Sequence, residues 1–443
     1  MIPDQADTSI NRPRRGAPVA STVIVPAELQ AVVADVIVRT TGNETPVVIT
    51  GWTESLQVLR HRDLRQGLYD EGRALMEHVI VNLHGPAHTS RRRLENRLFR
   101  RDTFVTWERE TIPSIIASML DAHLSAGHVD LIPFARKVMM RLAVDVAGVD
   151  LDSGSDAEFD DLYELMGRLA RASNVASAAG PPEDAIADGN RALAEFRERF
   201  YVRSHDRRHE LLRRFEMGEI SEDDLPRDVL ITLLRNHDRL ELPADVVIRE
   251  VAYYPWVGSH STSNAFVHAM HHILDSIGSD PELRGRLLDE PFLLQAHVHE
   301  ALRLHPASPI TKRRAVDNVD LPSGRHIEAG TVVIVNMIAA NRDPRVFGSD
   351  ANDFRPGRQV TGDVTAWGLT FGSGFHACLG QELAGGLEPD ADTKPDSHLY
   401  GAISVLAATL LRHFALPDPN EPALRDPHSI RPNWGTYPVV FAR

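Results

Sequence analysis

The residues with the most definite chemistry lie between Phe371 and Gly380, in the stretch FGSGFHACLG. Cys378 is the only cysteine in the 443-residue chain. Gly372, Ser373, Gly374 and Gly380 surround it with small residues, and His376 stands two positions before it. Glycine serves where backbone takes unusual dihedrals or comes close to another group. A soft thiolate on such a loop, followed by a helix, can hold a metal at one axial position, as cysteine does for haem iron. Other readings stand beside it. A lone cysteine is commonly a small buried hydrophobe. A cysteine with a histidine elsewhere can be a nucleophile. A sulfur-rich zinc site is excluded, because there is no second cysteine.

Further groups recur at helical spacing. His88 and Arg92 are four apart in VNLHGPAHTSRRRLENRLF, so on a helix both leave one face. By composition that face reads as solvated and basic. Glu300 and Arg303, three apart in HEALRLHP, read locally as a helix ion pair. A long apolar stretch from Asp245 to Ile277 carries Pro255, Gly258, His260, Ser261 and Thr262. Proline there removes a hydrogen bond and kinks the helix.

The order Phe-x-x-Gly-x-His-x-Cys-x-Gly resembles the cysteine-ligand loop of the cytochrome P450 superfamily, with Phe371, Gly374, His376, Cys378 and Gly380 at the family's positions. The resemblance extends over roughly residues 45 to 440. It implies a mainly α fold with small β-sheets (α+β), with haem b (iron protoporphyrin IX) between the long central helix and the cysteine loop. Cys378 is then the metal ligand. His88, Arg92, Arg313, Phe371, Gly372, His376, Cys378 and Gly380 are the expected cofactor-binding residues, because burying two propionates requires cationic or donor partners. Arg314 is the alternative to Arg313. The family's Glu-x-x-Arg pair falls on Glu300 and Arg303, buried, with Arg355 as the expected tie to them.

The family's small-Gly-x-acid-Thr pattern falls on Val257, Gly258, Ser259, His260 and Ser261, so the acid is replaced by His260 and the threonine by Ser261, with Thr262 adjacent. The expected catalytic residues are His260, Ser261 and Thr262. A histidine carries protons near neutral pH, and a hydroxyl donates a hydrogen bond. The leading expectation is a monooxygenase that inserts one oxygen atom from dioxygen into a small organic substrate of the secondary-metabolite kind. The alternative is haem-thiolate chemistry without oxygen insertion, such as group transfer, rearrangement or dehydration, or the use of peroxide.

The elements that must position these groups follow the same order. PVVIT (46–50) reads as a strand and Thr53 to Arg60 as a short helix. Val138, Met139, Leu142 and Val146 give a helical core pattern. Helices over 157–171 and 185–205 flank ASNVASAAGPPEDAIADG, which the resemblance makes a mobile lid over the substrate. Thr331 to Met337 is strand-like. Gly385, Gly386 and LEPDADTKPDSH interrupt the helix after the cysteine, so 385–398 reads as an acidic insertion. Residues 1–20 read as a loose tail and 21–443 as one catalytic domain. With 42% apolar residues the chain can bury a core, and a net charge of −14 argues against nucleic acid as a partner. No stretch has the length of a membrane anchor, and a single cysteine fits a reducing cytoplasm. A ferredoxin-type electron donor and a monomeric state complete the expectations.

Overall fold

The computed structural model describes residues 23, 25–175, 180–360, 362–427, 429 and 431–442. The expected tail, 1–20, lies outside them, as do residues 176–179 of the expected lid. The architecture is mainly helical with small sheets, as the resemblance implied. Among the described residues no helix is long and apolar enough to cross a membrane.

A four-stranded sheet forms one edge of the molecule. Strands β1 (Val47–Ile49) and β2 (Leu64–Gln66) come early in the chain. They are followed by the helices α1 (Gly85–Glu95), α2 (Leu131–Ala147), α3 (Asp156–Ser173) and α4 (Pro182–Phe196). The helix containing α4 continues through one wider turn to Glu216, beyond the limit the sequence suggested. Then come the long helix α5 (Ala244–Ser279), α6 (Pro291–Leu304), and strands β3 (Ile310–Ala315) and β4 (Val332–Asn336). The sheet order is β1-β4-β3-β2, with β1 parallel to β4 and the other pairs antiparallel. The register sets Gln66 opposite Arg313. Paired residues of adjacent strands share a face, so Gln66 Oε1 accepts from the Arg313 guanidinium at 2.7 Å.

Helix α5 is the spine. Its apolar residues bury against α2 along most of its length, and it also contacts α6. Pro255 lies inside it without ending it. Ser259 Oγ donates to the Pro255 carbonyl at 2.6 Å.

After the cysteine, helix α7 (Gln381–Gly385) stops where the paired glycines begin, and α8 (Ala402–Arg412) resumes with its apolar face buried. The excursion between them is closed at its base. Leu387 N–H donates to Leu399 O at 2.9 Å. The buried Gln295 amide lies within 3.0–3.3 Å of the carbonyls of Gly385, Leu387, Leu399 and Tyr400. Glu108 accepts from the N–H groups of Tyr400 and Gly401. Gly386 and Gly401 both have positive φ and are pressed together. A Cβ on Gly401 would come within 2.3 Å of Gly386 N.

Two buried polar clusters hold the helices in place. In the first, Arg303 is fully buried and donates to Glu300 and to the carbonyls of Asn341 and Ala351. The tie from the later segment is Arg358, not Arg355. Arg358 Nε donates to Glu300 Oε1 at 3.1 Å, whereas Arg355 offers Glu300 only its backbone N–H and turns its side chain out to Asp350. The chain reverses at Gly357 (φ +74°), which brings Arg358 inward. In the second, Arg91 of α1 donates to Glu250 of α5 at 2.6 Å, and Glu250 also accepts from Ile80 N–H. One turn further along α5, Tyr254 Oη donates to Glu95 in a short hydrogen bond. Glu95 and Glu250 are completely buried, and the other Glu95 oxygen has no partner. Burial pushes the Glu95 carboxyl up to about 7, against the pull of Tyr254, Arg91 and Arg92. Burial and the Glu95 charge raise Glu250 well above the carboxylate range.

Removing one partner of a buried charge network leaves the other uncompensated. R358A is therefore expected to lose about 3 kcal/mol in denaturant unfolding, and R355A less than about 0.5 kcal/mol. Equal losses would refute the assignment. For Glu95 the folded-state pKa is raised, so its contribution to stability is complete below about pH 4.5 and is lost as pH rises through about 7. The melting temperature of E95Q is expected to fall less than that of the wild type between pH 5 and 8. Parallel curves would show that Glu95 carries no such proton.

Candidate active site

The cysteine loop is fixed from both ends. Gly374 has φ +71°, and a Cβ there would come within 2.8 Å of Leu59 O, so the loop lies directly against the helix Trp52–Arg60. Cys378 N–H donates to Phe371 O at 2.9 Å, which closes the loop on itself. Phe371 is held edge-on by Trp367, with ring centroids 5.7 Å apart. The Cys378 side chain opens onto a cavity of about 330 Å³ rather than onto bulk solvent. Burial raises its thiol pKa, while the Gly380 N–H donated to the sulfur and the Arg92 charge lower it. Both favour the thiolate, the form that binds metal. Nothing lies within 4 Å of a Cβ built on Gly380, whose free side faces the cavity.

One end of this cavity is basic. His88 and Arg92 leave the same face of α1, as their spacing requires, and the His88 ring packs on His376 with centroids 4.2 Å apart. Arg313 enters from β3, while Arg314 points outward to Glu44. Arg92 donates to Ala377 O in the cysteine loop. Burial lowers His88 to about 4, His376 to about 2 and Arg313 to about 10, and neighbouring cations add to the effect at both histidines. No Asp or Glu is among the described residues lining this cavity. His88 Nε2 and Arg313 Nε are buried without partners. Buried polar atoms left in this way need a hydrogen-bond partner, and beside two guanidiniums an anion suits them best. A planar group with two carboxylates at one edge and a thiolate-seeking iron at its centre fits that donor set.

The opposite wall is helix α5. Tyr253, Tyr254, Val257, Gly258, Ser261, Thr262 and Ala265 face the cavity. Ser261 Oγ is committed to Val257 O at 2.7 Å. Thr262 makes no side-chain hydrogen bond among the described residues, so its hydroxyl is available. His260 is not on this wall. Successive helical residues are about 100° apart, and His260 turns with Trp256 and Asn264 into a neighbouring cavity. Its Nδ1 is bound to Trp256 O at 3.0 Å, and burial, with Arg136 and Arg171 nearby, lowers its pKa to about 3. The expected direct proton relay at His260 is therefore not what the geometry provides. The sequence reading missed Tyr69, at the junction of the two cavities, and the Tyr254–Glu95 pair, whose members are 159 residues apart.

Residues 270–385 match the family model described as Cytochrome P450. YjiB of Bacillus subtilis (strain 168), described as a cytochrome P450, is 25% identical over 309 residues, 69% of each chain. The cytochrome P450 monooxygenase gsfF of Penicillium aethiopicum is 28% identical over 248 residues, 51% of this chain and 44% of the relative. The first curated relatives match over 15–22% of their own length. The crystal structure of P450BioI with an acyl carrier protein shares the fold, with TM-score 0.69, 18% identity and coverage of 94% of this chain and 99% of that one. The ordered cysteine loop, its facing long helix and the basic cavity end between them thus lie in a chain whose residues 270–385 match the cytochrome P450 model and whose fold is shared with solved cytochrome P450 structures.

Proposed function

We propose that this chain is a haem-thiolate monooxygenase, one catalytic domain over residues 21–443, that inserts one oxygen atom of dioxygen into a small organic substrate. Its electrons come from a ferredoxin-type donor, and it works as a cytoplasmic monomer. The observation that supports this best is a cavity that presents the Cys378 sulfur together with His88, Arg92, Arg313 and His376 and, among the described residues, no carboxylate. The bound haem supplies the redox chemistry of oxygen activation.

The chain's own residues have separable tasks. Gly380 N–H and Arg92 favour the ionised sulfur against the burial that raises its thiol pKa. Arg92 and Arg313 would neutralise the two carboxylates of the cofactor, and the neutral rings of His88 and His376 would offer them N–H donors. Thr262 presents a hydroxyl that can hold a proton in the cavity. The apolar side chains of Met139, Leu142 and Val146 keep the cavity dry on the α2 side. The second reading, haem-thiolate chemistry without oxygen insertion or with peroxide, is favoured by one observation: no acid stands beside Thr262 on the cavity wall.

The optical spectrum of the reduced protein under carbon monoxide tests the ligand. The thiolate-type band is expected in the wild type and absent in C378S; the same band in both would refute Cys378 as ligand. Product formation that depends on NADPH and ferredoxin supports oxygen insertion, and turnover without reductant supports the second reading. Loss of one hydrogen bond of about 1.4 kcal/mol lowers a rate about tenfold. T262A is expected to show that loss with haem content unchanged, and H260A a smaller one. The reverse order would restore His260 as the relay.

A further inference from the structure

A second cavity, about 760 Å³, lies between α2, α3, α5 and residues Asp426, Ser429, Arg431 and Asn433 of the connection between β5 (Leu424–Arg425) and β6 (Trp434–Thr436). It is continuous with the sulfur-facing cavity: Tyr69, Val257, Ser261, Ala307 and Ser308 line both. The two differ in character. The sulfur-facing cavity is walled mainly by apolar groups away from its basic end, whereas the second is lined by more charged and polar side chains.

The charges of the second cavity do not cancel. Lys137 is paired with Asp160 at 2.5 Å. Arg431 is bound to Ala307 O and Asn174 Oδ1. Arg136 makes no hydrogen bond or ion pair among the described residues, and its Nε is buried without a partner. Arg171 likewise has no ion pair there, and Glu164 is the one acid on this wall without a partner. The uncommitted groups are thus two guanidiniums and one carboxylate. His260, lowered chiefly by burial, also feels Arg136 and Arg171, which both lower its pKa further.

Helix α2 links the two regions. Arg136, Met139, Ala143 and Val146 recur at helical spacing on one face, the first in the polar cavity and the others in the sulfur-facing one. At 1.5 Å per residue, Arg136 lies roughly 10 Å along the axis from Ala143. A guanidinium presents parallel donors that match a carboxylate, and a half-buried one without a partner gains most from such a ligand.

We propose that the substrate is an amphiphile bearing one carboxylate. The carboxylate docks on Arg136, with Arg171 beside it, and the apolar body passes Val257 and Ser261 to lie over Cys378. This deepens the monooxygenase reading and rests on it for the reaction at the apolar end.

The test titrates haem-loaded protein with dodecanoate, dodecan-1-ol and dodecylamine, reading both the optical shift and calorimetric heat. Dodecanoate is expected to bind at least tenfold more tightly than the alcohol, with the amine weakest. R136M is expected to bring dodecanoate to the alcohol's affinity without changing the alcohol's own, and R171M to remove part of the preference. Equal affinities in the wild type, a preference for the amine, no binding of any of the three, or a preference that survives R136M would each overturn the proposal. The wild-type comparison stands even where a variant folds poorly. Calorimetry reads the carboxylate preference independently of the thiolate signature, so a failure of the haem-thiolate reading is visible as a separate result.

Discussion

A sulfur atom lifted out of water resists losing its proton, and everything around Cys378 acts against that resistance. Burial raises the thiol pKa; one backbone N–H and one guanidinium lower it. Neither group acts alone. The N–H of Gly380 is aimed only because the loop is locked through Phe371 O and Leu59, and Arg92 is aimed only because α1 is clamped to α5. The fold is therefore a frame for two donors at one sulfur. The demand extends to the far edge of the cavity, where buried cations without counter-charges remain strained until an acidic group arrives.

The clamp between α1 and α5 is itself unusual in its electrostatics. Two fully buried carboxylates, Glu95 and Glu250, face one close arginine. Mutual repulsion and desolvation favour one neutral carboxylic acid over two anions. Tyr254 completes the arrangement by donating into Glu95 while its ring forms part of the cavity wall. The protonation state of a helix contact is thus in touch with the surface that meets ligand.

Much of this was legible in the sequence because it is local. The order of small residues, histidine and cysteine from Phe371 to Gly380 is contiguous. The four-residue step from His88 to Arg92 survives into the structure because both lie within one helix. Arg313 was separable from Arg314 only through alternation on a strand, which places neighbours on opposite faces. What the sequence hid depends on direction. Arg355 and Arg358 differ by a chain reversal at Gly357, and no composition rule orients it. His260 looked catalytic by position, yet it is about 200° around the helix from Thr262. The partnership of Tyr254 with Glu95, and the convergence of Arg136 with His260, join residues far apart in the chain, which no local pattern encodes.

The closed base of the excursion between α7 and α8 has a consequence for how this chain can vary. Because Gly386 and Gly401 touch and Gln295 binds the carbonyls on both sides, the two helical halves are aligned by the neck and not by the acidic tip. The excursion has an inward tie of its own: Glu388 accepts from Ala366 N–H, beside Trp367, whose ring braces Phe371. Beyond Glu388 the outer turn can lengthen or be exchanged for foreign sequence while the glycine contact keeps the two helical halves in place.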